Sequence, residues 1–398
     1  MNRDDFEILK NNDLIYFDNG STTLKPKSVV KEIVSYYTEY TANAHRGDYD
    51  NSLKVDKMYE AVRTKVKNLI NCESEKEVVF TSSTTDALNK IVFGFMKYNL
   101  KRGDEVLLSK AEHATNILPW VVLAKEIGIV VKYVELDNFL VTTENVKKAI
   151  TDKTKVISLA QITNVLGDER PIKEIGQICL EKGIYLVVDG AQSVPHIKVD
   201  VKDLNIDFLT FSAHKMLGPT GVGVLYGKKE LLEKVIPLTY GGGMNSHFDS
   251  IGHIEYKSLP SRLEAGTQNI SGVIGLGAAI DYLLALDFDQ IRKHEADLKQ
   301  YCIAKMKEIE NVEIYNEHIN GGTIAFNLKD IFSQDTAIYL NHYKICVRAG
   351  NHCAKILKEE IGVANTCRIS FYIYNTYEEI DKLIEVLNMS DNIFKVVI

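Results

Sequence analysis

Between about residue 75 and about residue 230 the chain alternates short apolar runs with longer stretches whose apolar residues recur at helical spacing. The runs fall at 77–80, 105–108, 129–134, 156–159, 184–188 and 208–211. Strands of a parallel sheet read this way, because both of their faces are covered and no polar alternation is required. Between them, stretches such as 172–182 carry a helical pattern, with Gly183 beyond the end as a stop signal. The alternation predicts repeated βα units, hence an α/β fold with a large, mainly parallel sheet and helices on both faces. After Gly241-Gly242-Gly243 and a loop to Gln268, residues 272–310 read as helix and the remainder as mixed strand and helix. A large domain over 17–270 is expected, with a smaller C-terminal α/β domain over 275–398 that takes in residues 1–16.

Polar residues gather just past the strand ends: Thr81-Ser82-Ser83-Thr84-Thr85-Asp86, Glu112-His113, Thr163-Asn164, Asp189-Gly190-Ala191-Gln192 and Ser212-Ala213-His214-Lys215. Open α/β sheets bind ligands beyond the carboxyl ends of their strands, so these clusters point to one shared site. Singly, each has a plain structural reading: a solvated lysine, a capping Asp, an N-cap Ser-Thr-Thr.

Composition narrows the partners. In 398 residues, 47 basic side chains face 54 acidic ones, and no long basic run offers a phosphate track. Nucleic acid is not expected. The start of the chain lacks an apolar core behind basic residues, and no stretch approaches a membrane span, so a cytoplasmic protein is expected. Six cysteines, at 72, 179, 302, 346, 353 and 367, form no CxxC pair and suggest neither disulfides nor a zinc knuckle. A metal site from His342, Cys346, His352 and Cys353 matches no zinc spacing, and no metal is expected.

Gly218-Pro219-Thr220-Gly221-Val222-Gly223 is not GxGxxG, leads into an apolar strand, and lacks the Gly-Lys-Ser/Thr ending of a Walker loop. Pyridoxal phosphate explains more residues. It needs a lysine for a Schiff base, a carboxylate facing its ring nitrogen and an anion cup. Lys215 and Asp189 follow strands of one sheet, and Ser83-Thr84-Thr85 precedes a helix expected over 86–95, whose N-terminus suits a phosphate.

The stretch from Phe211 to Gly223, with its Ser-x-His-Lys-x-x-Gly-Pro-x-Gly-x-Gly pattern, closely resembles the cofactor-lysine signature of class V aminotransferases. Asn43-Ala44-His45-Arg46-Gly47, Glu112-His113, Thr163-Asn164-Val165-Leu166-Gly167, Tyr240-Gly241-Gly242-Gly243-Met244 and Glu264-Ala265-Gly266-Thr267 resemble motifs of cysteine desulfurases, in that family's order. Arg348-Ala349-Gly350-Asn351-His352-Cys353-Ala354 resembles the short active-site cysteine loop of the second group, which includes the SUF-type enzymes. The resemblance runs from about Tyr16 to about Thr376. It implies a fold type I pyridoxal-phosphate transferase, acting on L-cysteine as a homodimer and passing sulfur to a small acceptor protein for iron–sulfur clusters or another sulfur-containing cofactor.

Carried over by position, the resemblance makes Lys215 the Schiff-base lysine and proton carrier, and puts His113 on the ring face. Asp189 would meet the ring nitrogen and Gln192 the phenolic oxygen. Thr84, Thr85, Ser212 and His214 would hold the phosphate, with Thr267 reaching it from the second subunit. Asn164 and Arg368 would bind the substrate carboxylate, with Arg348 in the same substrate-binding set, and Cys353 would accept the sulfur. Its activation by Arg348, His352 and Lys355 is expected. The chain departs from the family pattern at Ser83, Ala114, Thr115, Gln268, Ala349, Asn351 and Gly20-Ser21, without losing a group the chemistry needs. Related readings are a selenocysteine lyase, a cysteine sulfinate desulfinase, an aminotransferase, or a catalytically silent scaffold for sulfur-relay proteins.

Overall fold

The computed structural model describes residues 2–44, 47–390 and 393. His45 and Arg46 of the 43–47 motif lie outside the described residues, as do 391–392 and 394–398 of the expected C-terminal domain. The central sheet has seven strands, in the order Val78–Thr81, Gly223–Gly227, Phe208–Ser212, Tyr185–Asp189, Thr154–Ala160, Glu105–Ser109, Val130–Val134. The last five are mutually parallel, while Gly223–Gly227 runs antiparallel to both of its neighbours.

Successive residues of these strands serve opposite cores, as the period of two requires. Val79, Val106, Val156 and Val187 pack on one side with Trp120 of the helix Leu118–Ile127. Phe80, Leu107, Ile157 and Val188 pack on the other side with Tyr59 of the helix Asp50–Ile70. Helix Ile172–Lys182 ends where expected, at Gly183 in the left-handed region (φ 64°).

The expectation of repeated βα units holds from 78 to 189 and then fails. Residues 190–207 cross by turns, with Val199, Val201 and Ile206 buried in the first core and Val201 N donating to Ile70 O (3.0 Å). After Ser212 the chain reverses through Leu217 and Gly221, both at positive φ. A connection this short cannot make a parallel crossover, so the next strand must run antiparallel.

A second, antiparallel sheet has the order Val312–Ile314, Thr323–Leu328, Thr366–Ser370, Arg348–Gly350. Its core joins Phe326 and Ile369 to Leu383 of the helix Tyr377–Asn388, and also to Phe17. Ile15–Tyr16 pairs in parallel with Ile345–Cys346, and Ser370 N donates to Phe17 O (2.7 Å), so the N-terminal segment is stitched to this sheet. The helix Ile270–Leu284 spans the expected division at 270–275. It packs against Lys27–Glu39 and Asp50–Ile70 and shares their core. Among the described residues no single helix is long and apolar enough to cross a membrane.

Candidate active site

Just beyond Val78–Thr81, Ser83 caps the helix Thr84–Ile91 by accepting from Asp86 N (3.2 Å). Gly223 of the neighbouring strand makes room for this turn: a Cβ there would lie 2.5 Å from the Ser83 backbone. Thr84 N donates to Ser212 Oγ (2.8 Å), whose hydroxyl also meets Thr84 Oγ1 (2.7 Å). Thr85 Oγ1 meets Thr115 Oγ1 at 3.0 Å. Hydroxyls and a helix N-terminus thus converge where an anion is favoured.

Asp189 ends the middle strand and is buried, with Oδ1 accepting from Ala191 N (2.9 Å). Burial pushes its carboxyl up to about 6, against the pull of that N–H and of Lys215. Lys215 follows Phe208–Ser212, and its Nζ makes no hydrogen bond among the described residues. Burial brings the ammonium down to about 8, with Asp189 opposing and Arg368 adding to the shift. His113 is likewise held down to about 4 by burial and by the charges of Lys215 and Arg368, so its ring is neutral. Its Nδ1 accepts from Thr115 N (3.1 Å), which leaves the proton on Nε2. His214 is also neutral, its imidazole lowered to about 4 by burial, Lys215 and Lys25. Gln192 donates its Nε2 to Gly20 O (2.8 Å) and keeps Oε1 for another partner.

A buried ionic group stands behind His113. Glu112 accepts from Asn116 Nδ2 and Ala160 N (both 2.8 Å) and pairs with Arg170, which also reaches Ser109 Oγ (2.8 Å) and Asp168 (3.4 Å). Breaking one partner of such a pair leaves an uncompensated buried charge, so the strand ends it ties are held firmly.

The cysteine loop enters from the second sheet. His352 and Cys353 both sit at positive φ (53° and 57°), an arrangement side chains adopt only when the surroundings enforce it. Here Asn164 Nδ2 donates to His352 O (2.8 Å), Ala114 N to Cys353 O (2.7 Å), and Asn351 Oδ1 accepts from Cys353 N (3.1 Å). Cys353 is exposed, Cys346 half-buried and the other four buried. Burial raises the thiols of Cys72, Cys179 and Cys367 to about 12 and that of Cys302 further, which suits packing and not reaction.

Arg368 is buried, donating to Asn164 O (2.8 Å), Asp18 Oδ1 (3.0 Å) and Ser21 Oγ (2.9 Å). Among the described residues its Nε, together with Asn164 Oδ1 and His352 Nδ1, is buried without a partner. Exposed Arg348 reaches the other oxygen of Asp18 (3.4 Å). One cavity of about 250 Å³ is lined by Thr84, Thr85, His113, Asn164, Asp189, Gln192, Ser212, His214, Lys215, Arg348, Cys353 and Arg368, so these expected residues meet in one place. A larger cavity of about 670 Å³ lies across Gly20 and Gln192, which line both, and holds neither Lys215 nor Cys353.

Thr267 is exposed and does not line the cavity of its own chain. Asp18, Thr115 and Arg170 were not expected at or behind the site. Thr115 stood out in the sequence only as a departure beside His113, while nothing local marks Asp18 or Arg170, whose partners Arg368 and Glu112 are distant in the chain. His342, Cys346, His352 and Cys353 do not assemble as a metal cluster. Among the described residues only His247, Asp249 and His253 bring three ligand atoms within 4.8 Å. They lie on an outer hairpin, where Asp249 Oδ1 already accepts from Ile251 N and His253 N.

These donors fit pyridoxal phosphate. A half-buried lysine without a hydrogen-bond partner among the described residues lines the cavity, a carboxylate stands ready for a cation, a neutral imidazole offers a flat face, and a hydroxyl-lined helix start suits an anion.

Comparison with known proteins agrees. Residues 15–383 match the family described as aminotransferase class-V. A probable cysteine desulfurase of Halalkalibacterium halodurans is 41% identical over 384 residues, covering 96% of this chain and 94% of that protein. One from Staphylococcus aureus is 40% identical over 385 residues, covering 96% and 93%. Among solved structures, the apo cysteine desulfurase of Thermococcus onnurineus superimposes with a TM-score of 0.93 at 35% identity, covering 97% of this chain and 96% of that one. The Escherichia coli cysteine desulfurase CsdA, described in its S-sulfonic acid form, gives 0.92 at 33% identity over 100% and 98%. With its fold, its lysine loop and these relatives in agreement, the chain belongs to the aminotransferase class-V family.

Proposed function

We propose that this protein is a pyridoxal-phosphate-dependent cysteine desulfurase that moves the sulfur of L-cysteine onto Cys353 as a persulfide and leaves L-alanine. The observation that carries this is the meeting, in one cavity, of an exposed cysteine on a clamped turn, a half-buried lysine and a buried arginine whose Nε–H has no partner among the described residues. A transaminase needs no thiol there. The names of the relatives support the same reading.

Lys215 would carry the cofactor, Asp189 its ring nitrogen, His113 its ring face, and Thr84, Thr85, Ser212 and His214 its phosphate. Bound pyridoxal phosphate supplies an electron sink for chemistry at the substrate Cα. Arg368 Nε donates to the substrate carboxylate, and Asn164 holds both Arg368 and the cysteine loop. Lys215, with its ammonium lowered to about 8, is suited to take a proton from Cα and return it near neutral pH. The Cys353 thiolate attacks the substrate sulfur as the Cβ–S bond breaks, and the electron pair stays on the carbon fragment, which takes up a proton to become L-alanine. The exposure of Cys353 leaves the resulting persulfide open to a small acceptor protein.

The active unit is a homodimer in which Thr267 serves the partner's phosphate site. The enzyme works in the cytoplasm, in iron–sulfur cluster or related sulfur-cofactor synthesis. Its large unit includes Ile270–Leu284, and residues 15–17 belong with the smaller one.

The test is alanine release from L-cysteine with a thiol reductant, comparing the loaded protein with Cys353→Ala. Lost activity with retained cofactor absorbance supports the reading, and equal activity in both removes Cys353 from the reaction.

A further inference from the structure

The outer hairpin stands apart from both main sheets. Its strands Asn245–Phe248 and Ile254–Tyr256 form a two-stranded sheet of their own. A two-stranded sheet by itself is marginally stable in water. The turn between them is tight: Asp249 N donates to His253 O (3.1 Å), Gly252 N donates to Asp249 O (3.3 Å), and Gly252 takes the positive φ (90°) that such a short loop calls for.

The pairing decides which side chains meet. Phe248 lies opposite Ile254 and His247 opposite Glu255, so Asp249 lies opposite His253 at the turn. Side chains alternate along a strand and opposite residues share a face, so His247, Asp249 and His253 stand on one face of the hairpin while Phe248 and Ile254 take the other. One ligand atom from each of the three comes within 4.8 Å of the other two. Asp249 Oδ1 accepts from Ile251 N (3.1 Å) and His253 N (2.9 Å), which fixes the carboxylate and leaves Oδ2 without a hydrogen-bond partner among the described residues. The two imidazoles lie 6.2 Å apart between centroids, and neither ring makes a hydrogen bond among the described residues. Three ligand groups thus converge, one anchored by the backbone and two uncommitted.

Their chemistry selects the ion. Two imidazole nitrogens and one carboxylate oxygen suit zinc, nickel, cobalt or copper, whereas calcium and magnesium call for oxygens. Zinc holds such ligands at about 2.0–2.2 Å, hence about 3.4 Å from one another, so the two exposed rings need to close in by about 1 Å, within reach of a side-chain rotation. Three protein ligands leave a coordination position open to water.

We propose that His247, Asp249 and His253 form a binding site for a divalent transition metal, with zinc as the reference ion, and that the metal ties the two arms of the hairpin together. The site is independent of the desulfurase reading, since none of the three residues lines the cavity of Lys215 and Cys353.

The experiment uses the full-length, cofactor-loaded protein without a histidine tag, dialysed against zinc chloride. One zinc per chain is expected, with nitrogen and oxygen neighbours by X-ray absorption, and amide hydrogen exchange across the hairpin slows when zinc is added. His247→Ala and His253→Ala each weaken zinc binding at least about tenfold, the scale on which even outer partners of a metal ligand act. Asp249→Asn keeps an oxygen for the two turn amides but loses the carboxylate, and it weakens zinc binding to a similar degree. Its unchanged hydrogen exchange without zinc shows that the turn still stands. A sulfur neighbour at about 2.3 Å would put the metal on a cysteine instead. That result, no zinc retained at micromolar free metal, or unchanged affinity in any of the three variants overturns the site.

Discussion

Gly20→Ala is the sharpest test of how the substrate end of the site is built. A Cβ at residue 20 would stand 2.9 Å from Cζ and Nη2 of Arg368 and 3.1 Å from Nη1. Carbon contacts are comfortable at about 3.5–4.0 Å, so the guanidinium must retreat by about 0.6–1 Å. It has no slack, because Nη2 is held by Asp18 and Ser21 at 3.0 and 2.9 Å and Nη1 by Asn164 O at 2.8 Å. Displacement by that amount stretches these bonds toward the limit at which they cease to count and swings Nε off the carboxylate. A hydrogen bond to a charged group contributes about 1.5–3 kcal/mol, which converts to roughly a 10–150-fold rise in KM for L-cysteine. The kcat should change much less, since Lys215 and Cys353 are not touched. Initial rates of alanine formation measure both constants, and cofactor absorbance and a thermal melt establish that the variant is loaded and folded. Overpacking alone lowers stability by about 1–3 kcal/mol. A folded, loaded Gly20→Ala whose KM stays within twofold of wild type would refute the placement of Arg368 as the carboxylate ligand.

Asp189→Asn removes the carboxylate that the cofactor's ring nitrogen would meet, and should weaken cofactor retention on dialysis and cut turnover at least 100-fold by the usual scale for acid–base support; retained turnover would count against it. Lys215 predicts a pH dependence in the cofactor-free protein. Below about 8 both folded and unfolded lysine are charged and the burial penalty is present in full, whereas between about 8 and 10.5 only the unfolded one keeps its proton, so stability rises with pH across that window. In Lys215→Met that rise should shrink, and identical denaturation profiles for the two proteins would disprove the lowered value. For the dimer, Lys215→Ala and Thr267→Ala chains are mixed after separate purification. Recovered activity in the mixture shows Thr267 serving the partner's site, and no recovery places its action within one chain or nowhere near the reaction.

The central sheet was legible because its strands are apolar on both faces, and the helix 172–182 because Gly183 closes it. The antiparallel strand at Gly223–Gly227 was not, since strand direction depends on the length of the preceding connection and not on the strand's own residues. Site residues within a few positions of a strand end could be found one cluster at a time. Asp18 could not: it acts only by meeting Arg368 and Arg348, hundreds of residues away. Arg170 was hidden for a related reason, because an arginine in a polar stretch usually points to water, and only the folded chain shows it inside.

The N-terminal stitch has a consequence for how the molecule is made. The strand Ile15–Tyr16 waits for Ile345–Cys346, and Asp18 waits for Arg348, 330 residues further on, and for Arg368. Asp189, Ser212 and Lys215, by contrast, lie on neighbouring strands that leave the ribosome within a short span of one another. The half of the site that would grip the cofactor can therefore assemble while the half that would grip the amino acid is still unmade. A chain halted before residue 345 would keep the lysine but lack both the cysteine and the arginine, and so could not begin the proposed sulfur chemistry until the chain has passed residue 368.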